Sequence, residues 1–437
     1  MEQMETEGLN RTGAETEQAA TLGVYVSVPF CRSKCSFCNF ASGVSSAEAI
    51  EAYIVRLCRE IATAPNRAEN LRAHLPRRVD SVYLGGGTPS LLAPAQLRRI
   101  FVSLRETFQI AGNAEITLEA APGQIDDALL NEAMSQGVNR ISLGVQSFVD
   151  RESAAVGRNH TGSGCVHEVH RLQRAGITDL GVDLIAGLPY QTQESWQQSL
   201  RVVTSIGLNH LSVYMLEMDD DSRLGREVLA GGRRLHTDAL PSEEITAALY
   251  ESACEWLPAQ GFAQYEISNF APAQYRSRHN CKYWRRAPYI GFGLDAHSML
   301  LRGDNAMTEE RAAREGASSA VRFANPEDLA RYMKKELSPA FPMLTRSDEG
   351  IVEIVEIGRP EAFEESIFLG LRMTEGVNLW QLRRDFPANL VQPAEEAAAE
   401  LVQDGLLLAE DGCWRLTLRG RLLSNDVFTR LLMGVAA

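Results

Sequence analysis

Three of the chain's eight cysteines, Cys31, Cys35 and Cys38, fall within eight residues, in the stretch PFCRSKCSFCNF. Thiolates are soft ligands that hold zinc and iron–sulfur clusters. A structural zinc site asks for four closed ligands, usually as two separated pairs, and the sequence has no second C-x2-C pair. A [4Fe–4S] cube held by three thiolates leaves one iron open, and an open metal position is where binding or chemistry takes place. Two residues after Cys38, where a fourth cysteine might stand, the chain has Phe40. Cys58, Cys165, Cys254, Cys281 and Cys413 are scattered, which suits a reducing compartment and a metal site better than a disulfide framework.

Such a loop acts only if a scaffold presents it. From Leu22 onward, β-rich runs alternate with amphipathic helical patterns. Strands are read at Val24–Val28, Val79–Leu84, Glu115–Glu119, Arg140–Val145, Asp179–Leu184 and His210–Leu216. Helices are read at Ser46–Ala62, where Ile50, Ile54, Leu57, Cys58 and Ile61 share a face, and at about 94–108, 126–136, 164–175 and 191–206. Six strand–helix repeats imply right-handed crossovers and a parallel sheet, either open and doubly wound or a partial (β/α) barrel. CRSKC follows the first strand, GGGTPS the second, EAAPG the third, GVQSF the fourth and GLPYQT the fifth. Every unusual segment therefore sits at the C-terminal end of a strand, where α/β proteins build their sites, and this favours a barrel. Gly85, Gly86 and Gly87, ahead of Thr88 and Pro89, lack a Cβ, which serves either a tight turn or a close backbone approach to a ligand.

The bulk composition narrows the partners. Lys plus Arg number 43 against 57 Asp plus Glu, a net charge of -14, and such a surface repels phosphate backbones, so no nucleic acid is expected. Residues 1–21 read as a disordered acidic tail, neither a signal peptide nor a transit sequence, and a cytoplasmic location is expected. No apolar run reaches the ~20 residues that a membrane span requires. Residues 22–230 read as the barrel core and 231–357 as a segment completing it. Residues 358–437 read as a small, mainly helical, winged-helix-like domain. Oligomeric state is not legible.

The segment SRHNCKYWRRAPYIGFGLDAHS concentrates aromatic and polar side chains. Histidine is a common protein ligand of heme iron, and Tyr283 and Trp284 beside His279 could wall in a flat macrocycle. Cys281 is a second candidate ligand and His297 a third. The same residues also suit a capped turn over a small aromatic core.

C-x3-C-x2-C followed by an aromatic resembles the radical S-adenosylmethionine (SAM) superfamily. The phrases YVSVPFC, YLGGGTPSLL, EITLEAAPG, NRISLGVQSF, VGRNH, DLIAGLPYQT, HLSVYML, YEISNFA and HNCKYW sharpen the resemblance. They are similar to the oxygen-independent coproporphyrinogen III oxidase family, and within it to the heme-chaperone branch. The resemblance implies an α/β fold: a partial (β/α)6, TIM-like barrel of the radical SAM type with a C-terminal, mainly helical, winged-helix-like domain. It implies a [4Fe–4S] cluster on Cys31, Cys35 and Cys38, with SAM chelating the open iron. Gly86, Gly87 and Thr88 would contact the methionine end of SAM. Glu119, Gln146, Arg158 and Asp183 would serve its ribose hydroxyls and carboxylate, and Tyr25 and the backbone at Phe37 would complete the pocket. HNxxYW, from His279 through Asn280 and Tyr283 to Trp284, marks the chaperone branch and makes His279 a heme contact, whereas the oxidase branch carries a cysteine at the position of Phe40.

The function so implied is a carrier that delivers heme to acceptor apoproteins, with at most transient contact with membrane proteins. The alternatives are oxygen-independent decarboxylation of coproporphyrinogen III and a radical SAM enzyme with another substrate. Four positions depart from the family pattern: Ser27 replaces a histidine, Ala121 and Gly181 replace asparagines, and Asp295 replaces a glycine.

Overall fold

The computed structural model describes residues 21–220, 222–302, 319–334 and 353–433, so the expected acidic tail lies, apart from Thr21, outside the described residues. A pleated strand points alternate side chains to opposite faces, and the sequence uses that period fully. Val24, Val26 and Val28 of β1 (Leu22–Val28), Val82 and Leu84 of β2 (Arg78–Gly86), and Ile116 and Leu118 of β3 (Gln109–Ala120) lie in one hydrophobic core. The same core takes Ile141 and Leu143 of β4 (Arg140–Gln146), Val182 and Leu184 of β5 (Asp179–Ala186), and Leu211 and Val213 of β6 (His210–Met215). Helices cover this face. Ala47–Ala62 starts where the Ser46 hydroxyl accepts from the Ala49 N–H, and buries Ile54, Leu57 and Ile61. Pro94–Thr107, Gly162–Ala175 and Gln193–Ser205 add Ile100, Leu172 and Trp196.

β1 to β6 pair in parallel and in sequence order, giving the expected six-stranded half-barrel. β7 (Asn269–Phe270) closes one edge antiparallel to β6. β8 (Tyr289–Phe292) adds a seventh parallel strand beside β1, and β9 (His297–Leu301), β10 (Ala320–Ala324) and β11 (Glu353–Ile357) continue antiparallel. The order β11-β10-β9-β8-β1-β2-β3-β4-β5-β6-β7 leaves the barrel open between its two ends.

After Ile357 a second core gathers Phe363, Ile367, Leu401, Trp414 and Val427 from the helices Arg359–Arg372, Ala388–Gln403 and Ser424–Met433 and a small sheet. That antiparallel sheet consists of β12 (Val377–Asn378), β13 (Leu407–Glu410) and β14 (Cys413–Leu416), with β14 central. The C-terminal unit is therefore mainly helical with a small wing.

Candidate functional site

The cysteine loop leaves β1 and is fastened to the C-terminal ends of several strands. The Cys31 N–H donates to the Gly43 carbonyl at 3.0 Å and the Gly43 N–H to that of Pro29 at 2.9 Å, closing the loop on itself. The Thr88 N–H donates to Phe30 O at 2.8 Å, and its hydroxyl reaches Cys31 Sγ at 3.6 Å. A Cβ on Gly87 would lie 2.7 Å from Phe30 N and Val28 O, so only glycine lets the GGGTP turn press against this loop. On the far side the Ser36 N–H donates to Val156 O at 3.2 Å and the Leu224 N–H to Ser36 O at 2.8 Å. Phe37 packs with Val156, Ile185, Leu188 and Leu216.

The three thiols are free of disulfides. Burial pushes the Cys35 thiol up, Arg158 opposes this, and Cys38 and Cys31 add to the rise. Among the described residues no three His, Cys, Asp or Glu side chains converge on one ion position. A [4Fe–4S] cube takes one thiolate per iron, so its sulfurs stand apart around a body several ångströms wide. Three unpaired thiols on one loop, with a guanidinium near the buried one, fit that group. Phe40 is 65% exposed.

The face of β1 to β6 opposite the core is polar: Tyr25, Ser81, Tyr83, Glu115, Thr117, Glu119, Ser142, Asp183 and Ser212 line the inside of the half-barrel. Tyr83 donates its hydroxyl to Glu119 Oε1 at 2.6 Å. Burial raises the Glu119 carboxyl to about 7; Tyr83 and the Gly86 N–H, as donors, oppose the rise and Asp183 adds to it. Burial likewise raises Asp183, which accepts from Ser142 Oγ at 3.3 Å and is steadied by Ser212 and Arg158. At the end of β4 the pairing register slips between Gly144 and Gln146, and Gln146 takes φ +70°. The bulge turns Gln146 inward, and both its amide and the Arg158 guanidinium lie over Gly144, within 3.1 and 3.3 Å of where a Cβ would stand. Arg158 Nε is buried without a partner among the described residues, as suits a group awaiting an acceptor. Tyr25, Gly86, Gly87, Thr88, Glu119, Gln146, Arg158 and Asp183 are thus gathered inside the barrel or at its cysteine-loop mouth. The acceptors and donors present fit SAM, whose ammonium, ribose hydroxyls and carboxylate need both kinds.

His279 lies elsewhere. It belongs to the helix Arg278–Trp284, which plugs the opposite, N-terminal end of the barrel. The Arg278 and His279 N–H groups and the Ser277 hydroxyl all donate to the Glu115 carboxylate, at 2.9, 3.0 and 3.3 Å. Lys282 is buried and pairs with Asp80 at 2.9 Å. His279 is 1% exposed: its Nδ1 meets Ser81 Oγ at 3.1 Å and its Nε2 meets Tyr283 OH at 2.8 Å. Burial depresses its pKa to about 3, with Lys282 adding to the fall, so the ring is neutral. Both nitrogens are engaged in this arrangement, so a heme contact at His279 would require one of these bonds to give way. Cys281 is buried among Tyr265, Ala271 and Met373, with its thiol pushed up to about 11 by burial. His297 is 56% exposed, 3.9 Å from Asp295.

Residues 25–203 match the radical SAM superfamily and residues 357–423 the HemN C-terminal domain. The heme chaperone HemW of Lactococcus lactis is 30% identical over 409 residues, covering 94% of this chain and 97% of that protein. The chain belongs to the HemW family of radical SAM proteins. A mitochondrial radical S-adenosyl methionine domain-containing protein 1 from mouse is 30% identical over 95% of this chain and 88% of its own. Coproporphyrinogen III oxidase (HemN) from Escherichia coli superposes with a TM-score of 0.74 at 23% identity, over 96% of this chain and 92% of that one, which shows a shared fold.

Within this member of the HemW family three of the four departures can be placed in the structure. A Cβ at Gly181 would lie 3.2 to 3.3 Å from the His210 ring and its Cβ, so the missing asparagine makes room for His210, whose Nε2 meets Tyr265 OH at 2.8 Å. Ser27 Oγ occupies the space beside Gly86, and Asp295 sits with φ +56° beyond β8. Sequence reasoning missed Gly144, Tyr83 and Glu115. The alternation of apolar and polar residues within each strand was the signal that could have found the last two.

Proposed function

We propose that this chain is a heme chaperone that holds a [4Fe–4S] cluster and SAM at the cysteine-loop mouth of its barrel and delivers heme to acceptor apoproteins. The observation that supports it best is the three-thiol loop, with exposed Phe40 in the fourth position, in a chain alignable almost end to end with a heme chaperone. Cys31, Cys35 and Cys38 would hold the cluster, which supplies an electron and an open iron when bound. Glu119, Asp183, Gln146 and Arg158 bind and orient SAM through donors and acceptors already aimed into the lumen, and Tyr25 and Thr88 close the pocket around it.

Heme is the cargo. Of the three side chains expected as iron ligands, His297 alone is exposed, so it is the accessible ligand in this conformation. His279 would reach heme only if its helix left the barrel. The test is a hemin titration and a coproporphyrinogen turnover assay on one anaerobically reconstituted sample. A Soret band that weakens in His297→Ala, with no protoporphyrinogen formed, supports the proposal. Protoporphyrinogen production makes the chain an oxidase, and a wild type that takes up no heme refutes the carrier reading.

A further inference from the structure

We propose that His279 is a positioning residue for the SAM pocket, acting through Tyr83 on Glu119, and that the HNxxYW helix is a structural plug joining the barrel base to the C-terminal unit. The inference rests on the reading that the lumen takes SAM.

The plug is tied at every side. Its N-terminal N–H groups point at the Glu115 carboxylate, which the helix dipole favours, and Glu115 is itself 3.9 Å from Arg140, which pairs with Asp179 at 2.9 Å. Lys282 also donates to the Thr21 hydroxyl and carbonyl, at 3.1 and 3.2 Å. Its aromatic end faces the other way: the Arg372 guanidinium lies 4.5 Å over the Trp284 ring, Tyr283 meets Tyr289 edge-on at 4.6 Å, and Arg286 pairs with Glu365. Both Arg372 and Glu365 belong to the helix Arg359–Arg372. Iron ligation by His279 would have to displace its bond to Ser81 or to Tyr283.

From the plug a column of rings runs up the lumen. The His279 ring stacks on Tyr83 with centroids 5.3 Å apart and planes at 25°, and Tyr83 stacks on Tyr25 at 6.2 Å and 25°. The two bonds from Ser81 and Tyr283 fix the plane of the imidazole, and the stack fixes the plane of Tyr83. The Tyr83 hydroxyl then holds Glu119 beneath Gly85 and Gly86. A Cβ on Gly85 would stand 2.9 Å from Glu119 Oε2, so glycine at this position leaves the carboxylate the space it occupies. The titratable groups that face Glu119 are Tyr83 of β2, Asp183 of β5, Tyr25 of β1, Tyr214 of β6 and Tyr283 of the plug. None of the five is cationic, so the Tyr83 donor and the Gly86 N–H are what hold the charged form.

The experiment measures SAM affinity by equilibrium dialysis on the anaerobically reconstituted protein, at pH values on both sides of about 7, with a hemin titration on the same samples. Wild-type affinity should rise with pH as Glu119 ionises to accept from SAM's donors. Tyr83→Phe removes one oxygen from a buried carboxylate contact and should weaken SAM roughly 10- to 100-fold, with the pH midpoint moved upward. His279→Ala should move affinity and midpoint the same way and leave the Soret titration unchanged. His279→Phe keeps a flat ring over Tyr83 and should recover most of the loss, although it cannot ligate iron. If all three variants bind SAM as wild type does with the same midpoint, the inference is refuted while the proposed function stands. Loss of the Soret band in both His279 variants with SAM affinity unchanged also overturns it, and a wild type that binds no SAM removes both readings.

Discussion

Replacing Gly87 by alanine tests how the cysteine loop is held. The added methyl would meet Phe30 N and Val28 O at 2.7 Å and Phe30 O at 2.9 Å, against about 3.4 Å for ordinary contact. Backbone must therefore move by about 0.7 Å (3.4 minus 2.7), and no rotamer can relieve it because these three neighbours are all main chain. The movement strains the Thr88 N–H to Phe30 O bond of 2.8 Å and the Phe30 N–H to Val28 O bond of 2.9 Å. Overpacking costs about 1–3 kcal/mol and each of the two weakened bonds about 1 kcal/mol, so a penalty of roughly 3–5 kcal/mol falls on the loop carrying all three thiols. The assay is iron and sulfide per chain after anaerobic reconstitution, together with the denaturation midpoint. Gly43→Ala is the control: it lies in the same loop with nothing within 4 Å of its added carbon and should load fully. Wild-type iron content and midpoint in Gly87→Ala, or an equal loss in Gly43→Ala, would refute the steric reasoning.

Gly181→Asn should destabilise by about 1–3 kcal/mol in chemical denaturation because its Cβ crowds His210, and the penalty should shrink in the Gly181→Asn, His210→Ala double variant. Glu119→Gln should be more stable than wild type above pH about 7, by up to about 3 kcal/mol, because the folded carboxyl is raised from 4.5 to about 7 and stability is lost as pH climbs through that window. The gain should vanish below about 4.5, and a pH-independent difference in melting would contradict this assignment. Phe40→Cys places a thiol at a 65% exposed position and should add neither iron per chain nor porphyrinogen turnover, as metal analysis and product assay would show.

The half-barrel was legible because each of its strands carries a β-rich run followed by a distinctive loop. Arg140–Gln146 and His210–Met215 fall within a residue of the expected Arg140–Val145 and His210–Leu216, and the helix Ala47–Ala62 within a residue of Ser46–Ala62. The strands β8 to β11 were not legible: Tyr289–Phe292 reads as an aromatic loop, and its pairing with β1 spans more than 260 positions (289 minus 23) that no local pattern encodes. Spacing marked Cys31, Cys35 and Cys38, and resemblance marked Glu119, Gln146, Arg158 and Asp183. His279 shows what pattern leaves open. Sequence makes it conspicuous, but only tertiary placement decides that Ser81 and Tyr283 consume both of its nitrogens at the barrel's other end. Gly181 is similar: alone it reads as a lost polar group, and the His210 ring filling its space becomes visible only across two strands.

Whether this chain carries heme or makes a porphyrin is decided by following heme transfer. Reconstituted protein loaded with hemin is mixed with an apo-hemoprotein acceptor, and the acceptor is re-isolated and its Soret absorbance followed over time. The acceptor should gain heme faster from the loaded chain than from free hemin at the same concentration, with the chain itself unchanged. An acceptor that gains none, or gains it no faster than from free hemin, would contradict it.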